Sequence, residues 1–214
     1  MTAAVIFDLD GVLIDSESLW DRSRRELVQE VGRSWPPGAT EAMMGMSSRE
    51  WSGYLHDTLG VPLGREEISE RVVQRLLTHY RQHLPLLPGA ADAVRRMAEH
   101  WPLGLASSSN RPVIDAVLAL AGLSRFFAVT VSSEEVGRGK PAPDVYLAAA
   151  RQLGVVPSSC AVIEDSANGI RAGAAAGMTV FAIPNQEFPP PPDVLARARF
   201  VLASISELTP AIVA

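Results

Sequence analysis

The chain has 214 residues, 47% of them hydrophobic, and a formal net charge of −5. This length and apolar content suit a globular core, built as one domain plus an insertion or as two small domains. The acidic balance, with no lysine- or arginine-rich run, argues against a nucleic-acid partner, the single cysteine, Cys160, excludes an intramolecular disulfide, and no apolar stretch is long enough to cross a bilayer.

The start, Met-Thr-Ala-Ala, moves directly into apolar sequence with no charged leader or cleavage pattern. A cytoplasmic protein is therefore expected. The first predicted strand is Ala3 to Phe7, a short continuous apolar run of the kind buried in a parallel sheet. Asp8-Leu9-Asp10-Gly11 follows it directly. From Ser16 to Leu87 no convincing strand pattern exists. Leu19, Trp20, Leu27, Val28 and Val31 share one helical face, and Ile68, Val72, Val73, Leu76, Leu77 and Tyr80 share another. Pro36-Pro37-Gly38 and Gly60-Val61-Pro62 separate the helices. Residues 16–87 are thus predicted to be an all-helical insertion, a lid over the carboxyl edge of a sheet, dividing the core domain into residues 1–15 and 88–214.

After Pro88-Gly89 the sequence reads as sheet-like again. Further strands are predicted at Leu103 to Ala106, Phe127 to Val131, Ala161 to Ile163, Val180 to Ile183 and Phe200 to Leu202. Helical patterns lie between them at Pro112 to Ala121, Pro143 to Leu153 and the alanine-rich Ala167 to Ala176. This alternation predicts an α/β fold: a doubly wound, mainly parallel, Rossmann-like sheet with an inserted helical cap. Cys160 opens an apolar run and reads as a buried structural thiol. Pro189 to Pro192 reads as a stiff surface loop.

In such a sheet, ligands bind beyond the carboxyl ends of the strands. Asp8 and Asp10 follow the first strand, Ser107-Ser108-Ser109-Asn110 the second, and Glu164-Asp165-Ser166 the Ala161 strand. Gly139-Lys140-Pro141 lies one loop beyond the Phe127 strand. Four carboxylates brought together without cations would repel one another and lose hydration. A hard divalent ion resolves this, and an oxygen-only donor set favours Mg2+. Asp8 and Asp10, two apart, point to the same side of an extended segment. One could attack while the other manages protons, and Gly11 lets the chain turn sharply. Lys140 is the only lysine; the other 18 basic residues are arginine. A compact point charge suits a phosphate oxygen beside a carboxylate nucleophile. The Ser107 hydroxyl and the Ser108 amide, ahead of a helix, could donate to the same phosphate. His56, His79, His83 and His100 fall in the insertion or a peripheral stretch and are expected to be structural or exposed.

Phe7-Asp8-Leu9-Asp10-Gly11-Val12-Leu13, Ser107, Lys140-Pro141 and Glu164-Asp165-Ser166 resemble, in order and spacing, the motifs of the haloacid dehalogenase superfamily over essentially the whole chain. The insertion resembles its type I cap. Asp15-Ser16-Glu17, Lys140-Pro141-Ala142-Pro143-Asp144 and Glu164-Asp165-Ser166-Ala167-Asn168-Gly169-Ile170 resemble the subgroup of β-phosphoglucomutase and sugar- or polyol-phosphate phosphatases. The resemblance implies Asp8 as nucleophile and Asp10 as general acid and base. It implies Mg2+ held by Asp8, the Asp10 backbone carbonyl and Asp165, with Glu164 binding directly or through water. It further implies a phosphate cradle of Lys140, Ser107 and Ser108.

Within the family, Asp10 disfavours a dehalogenase and the lysine-free cap disfavours a phosphonatase. β-Phosphoglucomutase is the rival. Its cap carries a histidine and a lysine, whereas Trp20 stands four residues after Ser16 here and only Arg71 or Arg75 could stand in for the lysine. Hydrolysis of a small phosphorylated metabolite by a monomer is therefore expected. Ser16, Trp20 and Arg49, the last following Gly45-Met46-Ser47-Ser48, are the candidate cap residues for substrate.

Overall fold

The computed structural model describes residues 1–43, 46–186 and 189–214. Six strands, β1 (Ala4–Phe7), β2 (Leu103–Ser107), β3 (Phe127–Ser132), β4 (Cys160–Glu164), β5 (Thr179–Ala182) and β6 (Phe200–Val201), form one sheet in the order β3-β2-β1-β4-β5-β6. Every neighbouring pair is parallel. Each strand falls where its apolar run predicts. β1, β2 and β4 are buried at every position, because helices cover both faces and leave no side for polar alternation.

The helices, in chain order, are α1 (Glu17–Glu30), α2 (Ala39–Met43), α3 (Ser48–Gly53), α4 (Arg65–Gln82), α5 (Ala90–Ala98), α6 (Arg111–Leu120), α7 (Asp144–Leu153), α8 (Ala167–Ala175), α9 (Pro192–Leu195) and α10 (Pro210–Val213). None is long and apolar enough to cross a membrane. Two expectations fail. The sequence after Gly89 is helix α5, not sheet. Its buried residues, Ala90, Ala93, Val94 and Met97, recur at helical spacing, and Gly89, in the left-handed region at φ 81°, turns the chain into its first turn. The proline run also ends as a helix, since Pro192 opens α9. Cys160 is buried, as expected.

Between β1 and α5 every named element of the described residues is a helix, including a π-helical turn at Tyr54–Thr58. The buried faces of α1 and α4, Leu27 and Val28 against Ile68, Val72 and Leu76, join the same apolar cluster as Val5 and Phe7 of β1. Two linkers carry the chain out and back side by side. Asp15 N donates to Pro85 O at 2.8 Å and Leu87 N to Leu13 O at 2.9 Å, around an isolated antiparallel bridge between Ile14 and Leu86. At the other side, Ser48 Oγ donates to Glu134 Oε1 at 2.7 Å, and Asn110 Nδ2 bonds both Glu134 Oε1 (2.7 Å) and Ser69 Oγ (3.3 Å).

Candidate active site

The register of the central strands sets the site. Phe7 pairs with Leu105 on one side and Ile163 on the other, so Asp8, the end of β2 and Glu164 reach the carboxyl edge together. Asp8 donates its backbone N–H to Ile163 O at 3.0 Å. Carboxylate oxygens of Asp8, Glu164 and Asp165 lie within 4.8 Å of one another. Gly11 makes this approach possible. Its φ is +74°, and a Cβ there would stand 1.9 Å from Asp165 Oδ2. At Gly169, in the first turn of α8, a Cβ would meet Glu164 Oε1 at 1.6 Å.

The three carboxylates are not equivalent. Glu164 is fully buried and satisfied: Oε1 accepts from Lys140 Nζ (2.7 Å) and Tyr146 Oη (2.6 Å), and Oε2 from Asp165 N, Ser166 N and Ser166 Oγ. Burial alone would raise its pKa, but Lys140 and these donors hold it below the usual range. Lys140 Nζ also lies 2.9 Å from Asp8 Oδ1 and 4.9 Å from the Tyr146 ring centre. Burial works against its charge, yet Asp8 and Glu164 raise its pKa. Asp8 Oδ1 is therefore paired with Lys140, and its second lone pair is open to a further cation. Burial pushes Asp8 up to about 8 against the pull of Lys140, with Glu164 and Asp10 adding to the rise. Burial, then Glu164 and Asp8, likewise raise Asp165 well above the usual carboxylate range. One lysine cannot stabilise three clustered acids. The clustered oxygens of Asp8, Glu164 and Asp165, an all-oxygen donor set, fit a hard divalent cation such as Mg2+.

Asp10 faces elsewhere. Its Oδ1 accepts from Ser16 Oγ (2.5 Å) and Trp20 Nε1 (3.2 Å), and its Oδ2 from Ser109 Oγ (2.7 Å) and Ser107 Oγ (3.4 Å). A cavity of about 240 Å³ lies among Asp8, Asp10, Ser108, Lys140 and Asp165 on the sheet side and Trp20, Arg24 and Trp51 on the helical side. The haloacid dehalogenase-like hydrolase family profile matches residues 2–177. The chain belongs to that family. Hexitol phosphatase B from Escherichia coli O157:H7 is 38% identical over 213 residues, covering 96% of this hydrolase and 94% of its relative. Fructose-1-phosphate phosphatase YqaB from Escherichia coli K12 is 30% identical over 179 residues, covering 82% and 93%. Among solved structures, β-phosphoglucomutase from Clostridium difficile superposes with a TM-score of 0.84 at 25% identity, over 100% of this hydrolase and 96% of that chain.

The hydrolase thus brings Asp8, Asp10, Ser108, Lys140 and Asp165 to one cavity, with Glu164 directly behind. Ser107 is fully buried and directed at Asp10, accepting from Ser109 N at 3.0 Å. Ser16 and Trp20 line the cavity but spend their donors on Asp10. Arg49 is exposed and outside the lining, and Gly45 before it lies outside the described residues. Arg71 and Arg75 pair with Glu30 on the outer face of α1 and α4, away from the cavity. His56, His83 and His100 are exposed, and His79 lies 3.6 Å from Glu26. Three residues escaped sequence reasoning: Ser109, Tyr146 and Arg24. Ser109 stood in a recognised serine run, but which of its hydroxyls would reach Asp10 had no sequence signal. Arg24 falls four residues after Trp20, and that spacing, extended from Ser16, could have flagged it.

Proposed function

We propose that this hydrolase is a Mg2+-dependent phosphatase that removes phosphate from a small sugar or polyol monophosphate through a phosphoryl-aspartate on Asp8. The observation that carries this reading is the convergence of Asp8, Asp10, Lys140 and Asp165 on one small cavity. An Asp8 carboxylate oxygen attacks phosphorus, and the bond from phosphorus to the ester oxygen breaks. The departing alkoxide takes a proton from Asp10. Water then attacks the acyl phosphate, giving its proton back to Asp10 as inorganic phosphate leaves and the Asp8 carboxylate is restored. Three of the four groups on Asp10 are hydroxyls, which can rotate to accept when Asp10 carries a proton. Only Trp20 Nε1 must donate, so Asp10 stays oriented in both protonation states.

Lys140 places a fixed positive charge beside the transferred oxygens, and Ser108, which lines the cavity, would orient them through its amide and hydroxyl. Asp8 and Asp165 would hold Mg2+, with Glu164, its oxygens already taken by five donors, acting through water. Bound there, the ion supplies charge neutralisation for the carboxylates and the phosphoryl group. The names of the two phosphatase relatives support a sugar or polyol substrate. The mutase reading draws on the likeness to β-phosphoglucomutase, but Trp20 and a lysine-free insertion leave it without the groups that favour sugar over water.

A panel of sugar and polyol phosphates, assayed for phosphate release with Mg2+ and after EDTA, tests the proposal. The expected result is release from at least one ester, lost with EDTA and restored by Mg2+. Release that survives EDTA would remove the metal from the account. Interconversion of β-glucose 1-phosphate and glucose 6-phosphate faster than phosphate release would favour the mutase.

A further inference from the structure

Ser16, Trp20 and Arg24 stand at successive four-residue steps along α1. Ser16 and Trp20 both bond Asp10. With a rise of about 1.5 Å per residue, Arg24 lies roughly 6 Å further along the helix from the reacting centre. It lines the same cavity, yet it is only 4% exposed. Its guanidinium packs against two adjoining aromatic rings, 5.2 Å from the centre of Trp20 and 5.3 Å from that of Trp51, whose own centres are 5.9 Å apart, which restricts its orientation. Its Nε and Nη1 are buried with no hydrogen-bond partner. The nearest carboxylate, on Glu17, is 3.9 Å from Nη1, beyond hydrogen-bonding range. Burial lowers its pKa while Glu17, Asp21 and Asp10 raise it, and a guanidinium stays charged in either case. A buried, oriented cation with unused donors is costly unless a ligand completes it.

We propose that Arg24 determines substrate specificity: its Nε–H and Nη1–H donate to a hydroxyl or carbonyl oxygen on the uncharged tail of the monoester whose phosphoryl group sits at Asp8. The inference rests on the phosphatase reading and deepens it. Charge along the cavity sets the class of tail. Asp8, Asp10, Asp15, Glu17 and Asp165 line it against only Lys140 and Arg24. Lys140 is committed to Asp8 and Glu164; Arg24, ion-paired with Glu17 only at 3.9 Å, is the cation among the described lining residues whose Nε and Nη1 have no hydrogen-bond partner. A second phosphate there would set a dianion next to that carboxylate with one cation between them. A neutral oxygen meets the free donors without repulsion. The site therefore selects a hydroxylated monophosphate over a bisphosphate.

The test compares kcat/KM for sorbitol 6-phosphate, methyl phosphate and fructose 1,6-bisphosphate in the wild-type protein and in Arg24→Met. The wild type is expected to prefer sorbitol 6-phosphate over both others. In Arg24→Met the ratio of sorbitol 6-phosphate to methyl phosphate falls by about tenfold or more, mostly through KM, because only the longer ester reaches the guanidinium. If circular dichroism shows Arg24→Met unfolded, Arg24→Lys is read in its place, since it keeps the charge but loses the planar fork, and the same fall is expected. An unchanged ratio in the folded variant overturns the role of Arg24 and leaves the phosphatase reading standing. So does a wild-type ratio near one, or a preference for the bisphosphate. Absence of Mg2+-dependent hydrolysis of any ester by the wild type overturns the phosphatase reading itself.

Discussion

Glu164 organises the site from beneath. It is fully buried, carries a charge, and receives five donors, of which only Lys140 is a cation. Removing Lys140 leaves a buried carboxylate without its counter-charge, a loss that typically costs about 3–5 kcal/mol. Lys140→Ala should therefore lower the urea midpoint sharply as well as cut catalysis by about a hundredfold or more. A variant with near-native midpoint and rate would show that the lysine serves neither purpose. Asp8, Asp10, Lys140, Glu164 and Asp165 were legible in the sequence because each directly follows, or lies one loop from, an apolar strand whose end defines the sheet edge. Tyr146 and Arg24 were not. Their chemistry depends on which face of a helix is buried against which neighbour, and an arginine or tyrosine on a helix has the same local signature whether it faces water or a cavity.

At the level of elements, the six strands were legible because a doubly covered parallel strand is apolar throughout and needs no partner information. Helix α5 was missed although Ala90, Ala93, Val94 and Met97 fall at helical spacing against Asp92, Arg95 and Arg96, a period that the sheet-like reading passed over. The two pairs of contacts at the insertion, linkers at one side and Glu134 at the other, were also invisible, since they join residues far apart in sequence. The loop that leads from β3 toward Lys140 is anchored by Arg111, which donates to Glu135 Oε1 and Oε2 at 2.7 Å each and to Thr130 O at 2.9 Å. The Arg111 hydrogen bond lowers the pKa of Glu135 against a smaller effect of burial. A carboxylate with a lowered folded-state pKa adds stability above its ordinary value of 4.5 and loses that contribution as pH falls through the folded value. Glu135→Gln should therefore be less stable than wild type at neutral pH, by less than about 1 kcal/mol for so exposed a pair. The gap should close below pH 4.5. Urea midpoints of both proteins across pH 3 to 7, an interval of about four units around that value, would reveal it; a gap that widens toward acid would contradict the sign.

The molecule as a whole places its chemistry where a sheet edge meets a helical insertion. The strand ends and the loop beyond β3 contribute acids and a lysine; the start of α1 contributes Ser16 and Trp20, two of the four groups on Asp10, and, one turn further, Arg24. Ser48 and Ser69, bonded to Glu134 and Asn110, hold the insertion over that edge. In the proposed reaction the strand ends and their loops hold the reacting groups, and the helical wall of Trp20, Arg24 and Trp51 would face the remainder of the substrate. The phosphoryl group passes through Asp8 in that proposed reaction. Rapid acid quench of a single turnover, with a 32P-labelled sugar phosphate and Mg2+, measures it most directly. Label should accumulate on the peptide carrying Asp8 before inorganic phosphate appears, and Asp8→Asn should show neither. Full-rate phosphate release from Asp8→Asn, with no labelled protein at any time point, would contradict the account.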